Sequence, residues 1–372
     1  MVKTIFVNST FATTGGVKTI LDDFIDTVKT INITDTEFIF FVPESYQQSV
    51  ITQDNIKIVK IDAKSWHKRL LWDFIGLKLW SIKNKIRATT IFSLQNTSVN
   101  YYKNSKQIVY IQQPIPFEEN INWSFFKREE RKLWFYKRFY LNFIKMFLSK
   151  DNTIIVQTDW MKRAAAKKLK KINYENIHII KPAVKELNTE LNREYIFDNN
   201  YYNIFYPAMA YVYKNHMVLV QALKIIREKY KKYYEKLRIY FTLGNSSDYE
   251  KKILDKVREW NLEDKIIFMG KVPYDMVLNG YSSCNLVVFP SYIETFGLPL
   301  VEAAQYGNPI IASDREFSRE VIGNYKGVNF VDYDSPAQWA EAIVESRIKH
   351  KKYDSYFVKY ETNWKDLIQL LL

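Results

Sequence analysis

Two glutamates, Glu294 and Glu302, lie eight positions apart around a glycine and the predicted start of a helix. The run before them, Asn285–Phe289, is apolar and β-branched without alternation, which indicates a buried parallel strand. Pro299 suits the first position of a helix, and Gly307 in a Gly-Asn-Pro sequence marks its end. We therefore expect Glu294 in the strand-to-helix loop and Glu302 in the first turns of the helix.

The chemistry that this spacing favours is the binding of a nucleotide-sugar. Backbone N–H groups at a helix start point outward and favour an anion such as a phosphate. A carboxylate on either side can accept hydrogen bonds from hydroxyl groups. Two glutamates at this spacing, with nothing else around them, would more often be solvated side chains of an ordinary strand-loop-helix unit.

The sequence around the glutamates carries further elements, which are Pro-Ser, Glu-Thr-Phe-Gly, Glu-Ala and Gly-Asn-Pro-Ile-Ile-Ala-Ser. With these, the segment resembles the retaining glycosyltransferases of family 4, the glycosyl transferases group 1, and is similar to enzymes of bacterial O-antigen and capsule assembly. The resemblance implies the GT-B fold, an α/β fold in which two Rossmann-like domains face each other across a cleft. It also implies that Glu294 binds sugar hydroxyls in catalysis, that Glu302 binds ribose hydroxyls, and that the donor lies beside Phe296, Gly297 and Leu298.

Short apolar strands alternate with helical stretches along the chain, which predicts a parallel α/β architecture. The expected strands are Thr4–Asn8, Phe38–Val42, Ile56–Ile61, Thr90–Leu94, Ile108–Gln112, Thr153–Gln157, Ile177–Ile180, Tyr202–Tyr206, Arg238–Leu243, Lys265–Met269, Asn285–Phe289, Ile310–Ala312 and Val328–Val331. A polar linker, Glu186–Asn200, separates a first domain of residues 1–185 from a second domain of residues 200–354. The resemblance implies that the first is the acceptor domain and that the second binds the nucleotide-sugar. A helix is expected over residues 355–372, and the resemblance implies that it crosses back to the first domain.

A second loop with helix-start character follows the first strand. It contains Gly15 and Gly16 and opens a helix that runs to about Lys29. The loop matches neither a dinucleotide fingerprint nor a phosphate-binding Walker loop. Family 4 enzymes have a glycine loop near the donor phosphates and the acceptor, and Gly15 and Gly16 match it.

A lysine follows the first strand of the second domain. The family has a lysine here that neutralises the diphosphate in catalysis, and Lys214 matches it; a solvated lysine at a helix start is the less favoured alternative. The family also has an arginine a few residues after this strand. Ala208 or Met209 occupies that position, so one positive charge is missing.

Three other strand ends carry weaker candidates. Relatives often have a histidine where Gln112 or Gln113 stands, and glutamine can contact sugar hydroxyls but cannot shuttle protons. A polar loop without a function is an equal alternative there. In the second domain, loops that border the diphosphate and the base in the family correspond to Gly244 and to Gly270, Lys271 and Val272.

Composition limits the class of protein. The chain has 372 residues, enough for two domains, and a formal net charge of +13, which favours an anionic partner. One cysteine, Cys284, cannot form an internal disulfide and fits a cytosolic protein. The four histidines have no ligand spacing, and Asp332-Tyr333-Asp334 is more typical of a solvated turn than of a metal site. No metal and no cofactor are therefore expected, only a nucleotide-sugar as substrate.

Two segments, Trp66–Arg87 and Trp123–Lys150, mix aromatic and basic residues. They suit an anionic lipid surface, or else their aromatic residues form the core of the first domain. No run of about 20 apolar residues predicts a transmembrane helix. Nucleic acid is not expected as a partner, because no recognised motif accompanies the charge.

The sequence therefore predicts a retaining glycosyltransferase, cytoplasmic or peripheral on the inner face of the plasma membrane. The resemblance implies a lipid-linked or oligosaccharide acceptor in bacterial surface polysaccharide, O-antigen or capsule synthesis, with mannose from GDP-mannose as the first candidate donor. Two alternatives remain. One is another GT-B enzyme, an epimerase or a phosphorylase. The other is a basic membrane-surface-binding protein with a degenerate, non-catalytic GT-B domain, which the missing arginine and histidine favour.

Overall fold

The chain forms two compact units in a computed structural model that describes residues 3–13, 16–31, 33, 35–47, 53–182, 184, 186–187, 194, 196–358 and 364–372. Unit 1 comprises Met1–Asn122, Phe135–Ala183 and Tyr360–Leu372. Unit 2 comprises Trp123–Trp134 and Val184–Lys359. The segment Trp123–Trp134 thus belongs with the second unit, although it lies within residues 1–185 of the expected first domain.

Unit 1 is built on a sheet of seven parallel strands, numbered along the chain. These strands are β1 (Lys3–Asn8), β2 (Thr36–Pro43), β3 (Ile56–Ile61), β4 (Thr90–Ser93), β5 (Lys106–Tyr110), β6 (Thr153–Val156) and β7 (Ile177–Ile179). Their order in the sheet is β3-β2-β1-β4-β5-β6-β7. The helices of the first half are α1 (Gly16–Thr30), α2 (Trp66–Leu71), α3 (Leu77–Asn84), α4 (Arg131–Phe135), α5 (Leu141–Lys145) and α6 (Asp159–Lys168). One π-helical turn, Trp72–Gly76, joins α2 to α3, and another, Tyr136–Tyr140, joins α4 to α5.

Unit 2 is built on a sheet of six parallel strands. These are β8 (Tyr202–Tyr206), β9 (Leu237–Phe241), β10 (Ile266–Phe268), β11 (Leu286–Phe289), β12 (Ile310–Ser313) and β13 (Val328–Val331), in the order β10-β9-β8-β11-β12-β13. The helices are α7 (His216–Lys229), α8 (Lys231–Tyr234), α9 (Asp248–Glu259), α10 (Tyr274–Ser283), α11 (Leu298–Gln305), α12 (Glu316–Ile322) and α13 (Pro336–Lys349), and the chain ends in α14 (Trp364–Leu371) of unit 1.

Every expected strand is present, with its ends shifted by at most two residues. The reason is that strands such as β4, β8 and β11 are buried along their whole length, so their sequences are apolar runs without alternation. Cys284 is buried beside β11, and burial raises the pKa of its thiol to about 12. Among the helices that the structure describes, none combines the length and the apolar character needed to cross a membrane.

Each sheet has one point where the strand order reverses. In unit 1 the strand β1 lies between β2 and β4, and in unit 2 the strand β8 lies between β9 and β11. Parallel sheets of this kind bind ligands at the carboxyl ends of the strands beside such a switch point. A ligand is therefore expected beside the loops after β1 and β4 in unit 1 and the loops after β8 and β11 in unit 2.

A buried carboxylate, Asp73, joins the loops at the switch point of unit 1. It is 3% exposed and accepts hydrogen bonds from Asn8 Nδ2 at 3.0 Å, Gln95 Nε2 at 2.8 Å and Thr97 Oγ1 at 2.8 Å. Burial raises the pKa of Asp73, although the neighbouring Arg69 and these three hydrogen bonds act in the opposite direction. Because Asn8 ends β1 and the other two donors follow β4, Asp73 ties both loops to the π-helical turn that carries it.

The C-terminal segment differs from its sequence-based prediction. The helix expected over residues 355–372 is found over Trp364–Leu371, and residues 355–358 are not helical. The amides of Tyr353 and Tyr356 donate to the carbonyls of Gly307 at 2.9 Å and Ala304 at 3.0 Å, at the end of α11. These hydrogen bonds tie the segment to α11 and to the turn that follows it, and residues 355–358 form no helix.

Helix α14 completes the core of unit 1. Trp364 is 3% exposed, and its ring centroid lies 5.5 Å from that of Phe24 in α1 and 5.6 Å from that of Tyr110 in β5. Aromatic contacts at these distances add to the stabilisation that burial provides.

We expect Trp364→Ala to lower the free energy of unfolding by about 3–5 kcal/mol, because removing a buried aromatic side chain leaves a cavity. Urea denaturation followed by circular dichroism measures the change. Trp66→Ala is the matched control, since Trp66 is 46% exposed and loses less burial. Equal losses for the two variants would contradict the role assigned to α14.

We expect Asp73→Asn to lower the free energy of unfolding by about 1.5–3 kcal/mol, the worth of hydrogen bonds to a charged group. The asparagine side chain replaces one accepting oxygen with an NH₂ donor, which would face the donors of Asn8, Gln95 and Thr97. The same denaturation experiment measures the loss, with the exposed Asp151→Asn as control. A stability equal to that of the control would show that Asp73 does not hold these loops.

Candidate functional site

The expected site residues of unit 2 all lie after the carboxyl ends of its strands. Lys214 follows β8, Gly244 follows β9, and Gly270, Lys271 and Val272 follow β10. The loop after β11 carries Glu294, Phe296 and Gly297, and α11 carries Leu298 and Glu302. Because the strands are parallel, these loops share one edge of the sheet.

Lys214 and Glu294 form an ion pair at the switch point. The distance between Lys214 Nζ and Glu294 Oε1 is 2.5 Å, and the two side chains are only 13% and 15% exposed. Lys214 Nζ also lies 5.7 Å from the ring centroid of Tyr213 and 5.6 Å from that of Phe289. Opposite charges that are largely withdrawn from water attract strongly, and each one is costly to leave alone. The pair thus holds a cation and a carboxylate together where the loops after β8 and β11 meet.

The two loops are also joined by neutral hydrogen bonds. The fully buried Tyr206 hydroxyl donates to the Lys214 carbonyl at 2.7 Å and lies 3.0 Å from Ser291 Oγ. Burial raises the pKa of Tyr206 well above its ordinary value, so its hydroxyl keeps its proton and remains a donor. The amide of Tyr292 donates to the Tyr213 carbonyl at 3.0 Å. These bonds fix the backbone that carries Lys214 against the backbone that leads to Glu294.

The start of α11 has the geometry expected for an anion site. Gly297 precedes the helix with φ +100°, a left-handed conformation that side chains rarely adopt, and no side chain caps the helix start. Leu298 is the first helical residue and Pro299 the second, so Pro299 lies one position later than the sequence suggested. Phe296 is 2% exposed and anchors the loop in the core. Backbone amides in the first turn of an uncapped helix attract negative charge.

Both oxygens of Glu302 accept hydrogen bonds from tyrosines on α10. Tyr274 Oη donates to Oε1 at 2.8 Å, and Tyr281 Oη donates to Oε2 at 3.0 Å. Burial raises the pKa of Glu302, although the two hydrogen bonds act to lower it. Tyr281 is fully buried, whereas Tyr274 is 53% exposed. A ligand hydroxyl could therefore replace Tyr274 on Oε1 while Tyr281 keeps the carboxylate in place.

The loop after β9 is closed by a carboxylate that the sequence did not suggest. Glu250 accepts hydrogen bonds from the amides of Gly244 at 2.7 Å, Ser246 at 3.1 Å and Ser247 at 2.8 Å. Burial alone would raise the pKa of Glu250, but the hydrogen bonds from Ser247, Gly244 and Ser246 lower it to about 2. The carboxylate therefore stays ionised, and Gly244 is held by its amide.

The loop after β10 leads into α10. Gly270 has φ +71°, and its amide donates to the Leu243 carbonyl at 2.9 Å, so the loops after β9 and β10 are joined. Lys271 is exposed and Val272 is partly buried. A Cβ on Gly270 would meet nothing within 4 Å, so its positive φ, and not crowding, favours glycine there.

The positions with missing family residues have different surroundings. Ala208 is 6% exposed and Met209 is 57% exposed, so an apolar side chain faces solvent near the place of the absent arginine.

His216, at the first position of α7, is fully buried, with its ring 4.7 Å from that of Tyr206. Burial, and secondly the charge of Lys214, lowers the pKa of His216 to about 3. This histidine is therefore neutral near pH 7 and part of the core.

Unit 1 contributes weaker candidates. Gly16 is exposed at the first position of α1, with nothing within 4 Å of a Cβ placed on it, whereas Gly15 lies outside the described residues. Gln112 Nε2 donates to the Leu94 carbonyl at 3.1 Å, which commits the side chain to the neighbouring loop. Gln113 Oε1 accepts from the amide of Ile115 at 3.4 Å. Both glutamines thus support the loop after β5, each through one end of its side-chain amide.

The described part of the chain has no group of three or more histidine, cysteine, aspartate and glutamate side chains able to hold a metal ion. Asp332, in the Asp-Tyr-Asp sequence, accepts a hydrogen bond from the amide of Asp334 at 3.0 Å within a turn.

Part of the chain is similar to a known family. Residues 188–364, just under half of the chain, match the family model for glycosyl transferases group 1. The O-antigen chain mannosyltransferase RfbU of Salmonella typhimurium (strain LT2) is 29% identical over 128 residues, 33% of this chain and 35% of that protein. The chain thus matches about a third of the length of this curated relative.

Solved structures share the whole architecture at low sequence identity. WaaG, a glycosyltransferase involved in lipopolysaccharide biosynthesis, has a TM-score of 0.67 at 12% identity, with 92% of this chain and 90% of that chain covered. Anabaena HepE in complex with UDP-glucose has a TM-score of 0.62 at 14% identity, with 100% and 95% covered. The chain therefore has the GT-B fold of two Rossmann-like domains, and its residues 188–364 are similar to the glycosyl transferases group 1.

Proposed function

We propose that the chain is a retaining glycosyltransferase that moves a sugar from a nucleotide-sugar to a lipid-linked or oligosaccharide acceptor in bacterial surface polysaccharide synthesis. The observation that carries the proposal is the ion pair between Lys214 and Glu294. It places a cation and a carboxylate together at the switch point of the unit that matches the group 1 family model.

Donor binding begins with an exchange of partners at this pair. A diphosphate that reaches Lys214 offers the ammonium group a new anionic partner. Glu294 is then released to accept hydrogen bonds from the hydroxyls of the donor sugar. The uncapped start of α11 and the Gly297 backbone supply further positive potential for the phosphates. In this proposal Lys214 and the helix start stabilise the leaving diphosphate, and no metal is required.

The ribose of the donor binds at Glu302. Its hydroxyls replace the exposed Tyr274 on Oε1, while Tyr281 continues to hold Oε2. The loops that contain Gly244 and Gly270 border the base and the diphosphate, held by Glu250 and by the bond between Gly270 and Leu243.

Proton transfer follows from what the site offers. Glutamines occupy the place of the family histidine, and an amide cannot act as a base. We therefore assign removal of the proton from the acceptor hydroxyl to the departing diphosphate, on the same face of the sugar. This route gives a product with the anomeric configuration of the donor.

The relatives guide the choice of substrates. RfbU is an O-antigen chain mannosyltransferase and HepE has been solved with UDP-glucose, so GDP-mannose is the first donor to test and UDP-glucose the second. The lipopolysaccharide role of WaaG supports an acceptor of the same kind. Association with the inner face of the plasma membrane would bring the enzyme to such an acceptor.

A second candidate function rests on the apolar residues at the arginine position. With Ala208 and Met209 in place of an arginine, the protein would be a basic membrane-surface-binding protein with a degenerate, non-catalytic GT-B domain. A GT-B epimerase or phosphorylase is the other enzyme alternative. A donor panel separates the three, because only a transferase links the sugar to an added acceptor.

We expect Glu294→Gln to lower kcat/KM for the donor at least tenfold, the effect of losing a charge-assisted hydrogen bond worth about 1.5–3 kcal/mol. The assay measures sugar transfer or donor hydrolysis across UDP-, GDP- and dTDP-sugars, and product NMR gives the anomeric configuration. The exposed Glu263→Gln is the matched control. Full activity in the Glu294→Gln variant, or no turnover of any donor by the native protein, would refute the proposal.

We expect the donor KM to depend on pH through Glu302. Because burial raises the pKa of this group, its carboxylate takes up a proton at a higher pH than an ordinary glutamate. The protonated form can no longer accept on that oxygen, so the KM should rise as the pH falls through the raised pKa. In Glu302→Gln the KM should be high and this limb of the profile should be absent. An unchanged profile in the variant would remove Glu302 from the donor site.

A further inference from the structure

One helical segment of unit 1 exposes apolar side chains along a single face. The segment runs from α2 through the π-helical turn into α3. Its exposed residues are Leu71 at 62%, Phe74 at 46%, Ile75 at 45%, Leu79 at 53% and Ile82 at 55%. We call these five residues the apolar face. Spacings of three and four residues place them on one side of the helix.

The opposite side of the same segment is already buried. Trp72 and Leu77 pack into the core, and Arg69 and Asp73 enter the buried polar cluster at the switch point. A surface helix normally turns its apolar side inward and its polar side to water. Here the inward side is already packed against the core, and the outward side is apolar as well. Packing of the core therefore does not explain the apolar face.

A second segment, which contains Phe135, Phe143 and Phe147, extends the apolar face. Trp66 lies 5.1 Å from Phe143 and 6.3 Å from Phe135 between ring centroids, and Phe74 lies 4.8 Å from Phe147. Phe135 is 37% exposed on this segment. Contiguous exposed apolar surface of this kind is typical of an interaction site.

The charges beside the apolar face are almost all positive. Lys83, Lys85 and Arg87 are exposed at its C-terminal end. Between Lys64 and Arg87 the sequence has one carboxylate, Asp73, which is buried, and between Phe135 and Lys150 it has none. Within these two stretches the surface is therefore apolar in the middle and basic at the edge, and Asp62, just before the first stretch, is paired with Lys68.

We propose that the apolar face docks on an anionic lipid bilayer. Leucine, isoleucine and phenylalanine side chains would enter the boundary between headgroups and acyl chains, while the lysines and arginine contact lipid phosphates. A second copy of the chain is a poorer occupant, because the basic edges of the two copies would repel each other.

Docking would act on the site through the buried side of the same segment. Arg69 donates to the Gln95 carbonyl, and Asp73 accepts from Asn8 and Gln95. The docked helix is therefore hydrogen-bonded to the loops after β1 and β4. Those loops would then lie near the lipid surface, where a lipid-linked acceptor would be found. This consequence rests on the proposed glycosyltransferase function, whereas the docking itself does not.

Vesicle flotation tests the docking with the full chain. Vesicles of phosphatidylcholine are compared with equimolar phosphatidylcholine and phosphatidylglycerol, at low and high salt. The native protein should float with the anionic vesicles at low salt, and Ile75→Glu should lower the bound fraction about tenfold, since it removes apolar burial and adds a negative charge. Ile348→Glu is the matched control, an isoleucine of unit 2 that is 60% exposed, and it should float like the native protein.

The outcomes separate docking from catalysis. No flotation of the native protein, equal flotation on neutral vesicles, or equal losses in the two variants would overturn the docking proposal. A native dimer that Ile75→Glu converts to a monomer, without flotation, would overturn it in favour of self-association. Turnover of a donor with a soluble acceptor is measured in the same preparations. Activity without flotation refutes only the docking, and flotation without activity refutes only the proposed function.

Discussion

Polar groups that are buried where the strand order reverses constrain this structure more than any other feature. A parallel sheet brings the ends of neighbouring strands together, and the loops that leave them carry polar groups that must be paired once water is excluded. Unit 1 meets this constraint with Asp73, which accepts from donors on two loops. Unit 2 meets it with Tyr206 and with the ion pair of Lys214 and Glu294. In unit 2 these contacts also define the candidate site.

The ion pair in unit 2 links stability to binding. Without a ligand, Lys214 and Glu294 neutralise each other, so neither is an uncompensated charge in a largely buried place. A ligand with a diphosphate at one end and hydroxyl groups at the other can replace each partner with a group of suitable chemistry. A ligand that offers only one of these groups leaves the other charge unpaired. This asymmetry would favour a nucleotide-sugar over a free phosphate or a free sugar.

Much of the fold and part of the site could be predicted from the sequence. Strands such as β8 and β11 are recognisable because complete burial demands an apolar run, and Glu294 lies in a loop that its motif marks. The partners could not be predicted. Nothing local links Tyr281 to Glu302 or Glu250 to Gly244, because these contacts depend on how helices pack over the sheet. The start of the C-terminal helix was misplaced for the same reason, since Tyr356 donates to a carbonyl on α11 and Tyr353 donates to Gly307 just beyond it.

In the proposed function, the loops after β8 and β11 hold the diphosphate and sugar of a donor. Hydrogen–deuterium exchange with and without saturating GDP or UDP tests it most directly, because the exchange reports each amide separately. We expect slower exchange in the loop that ends at Lys214, in the loop around Gly297 and in the first turn of α11. Binding of a nucleotide with unchanged exchange in these segments, and protection elsewhere, would contradict it.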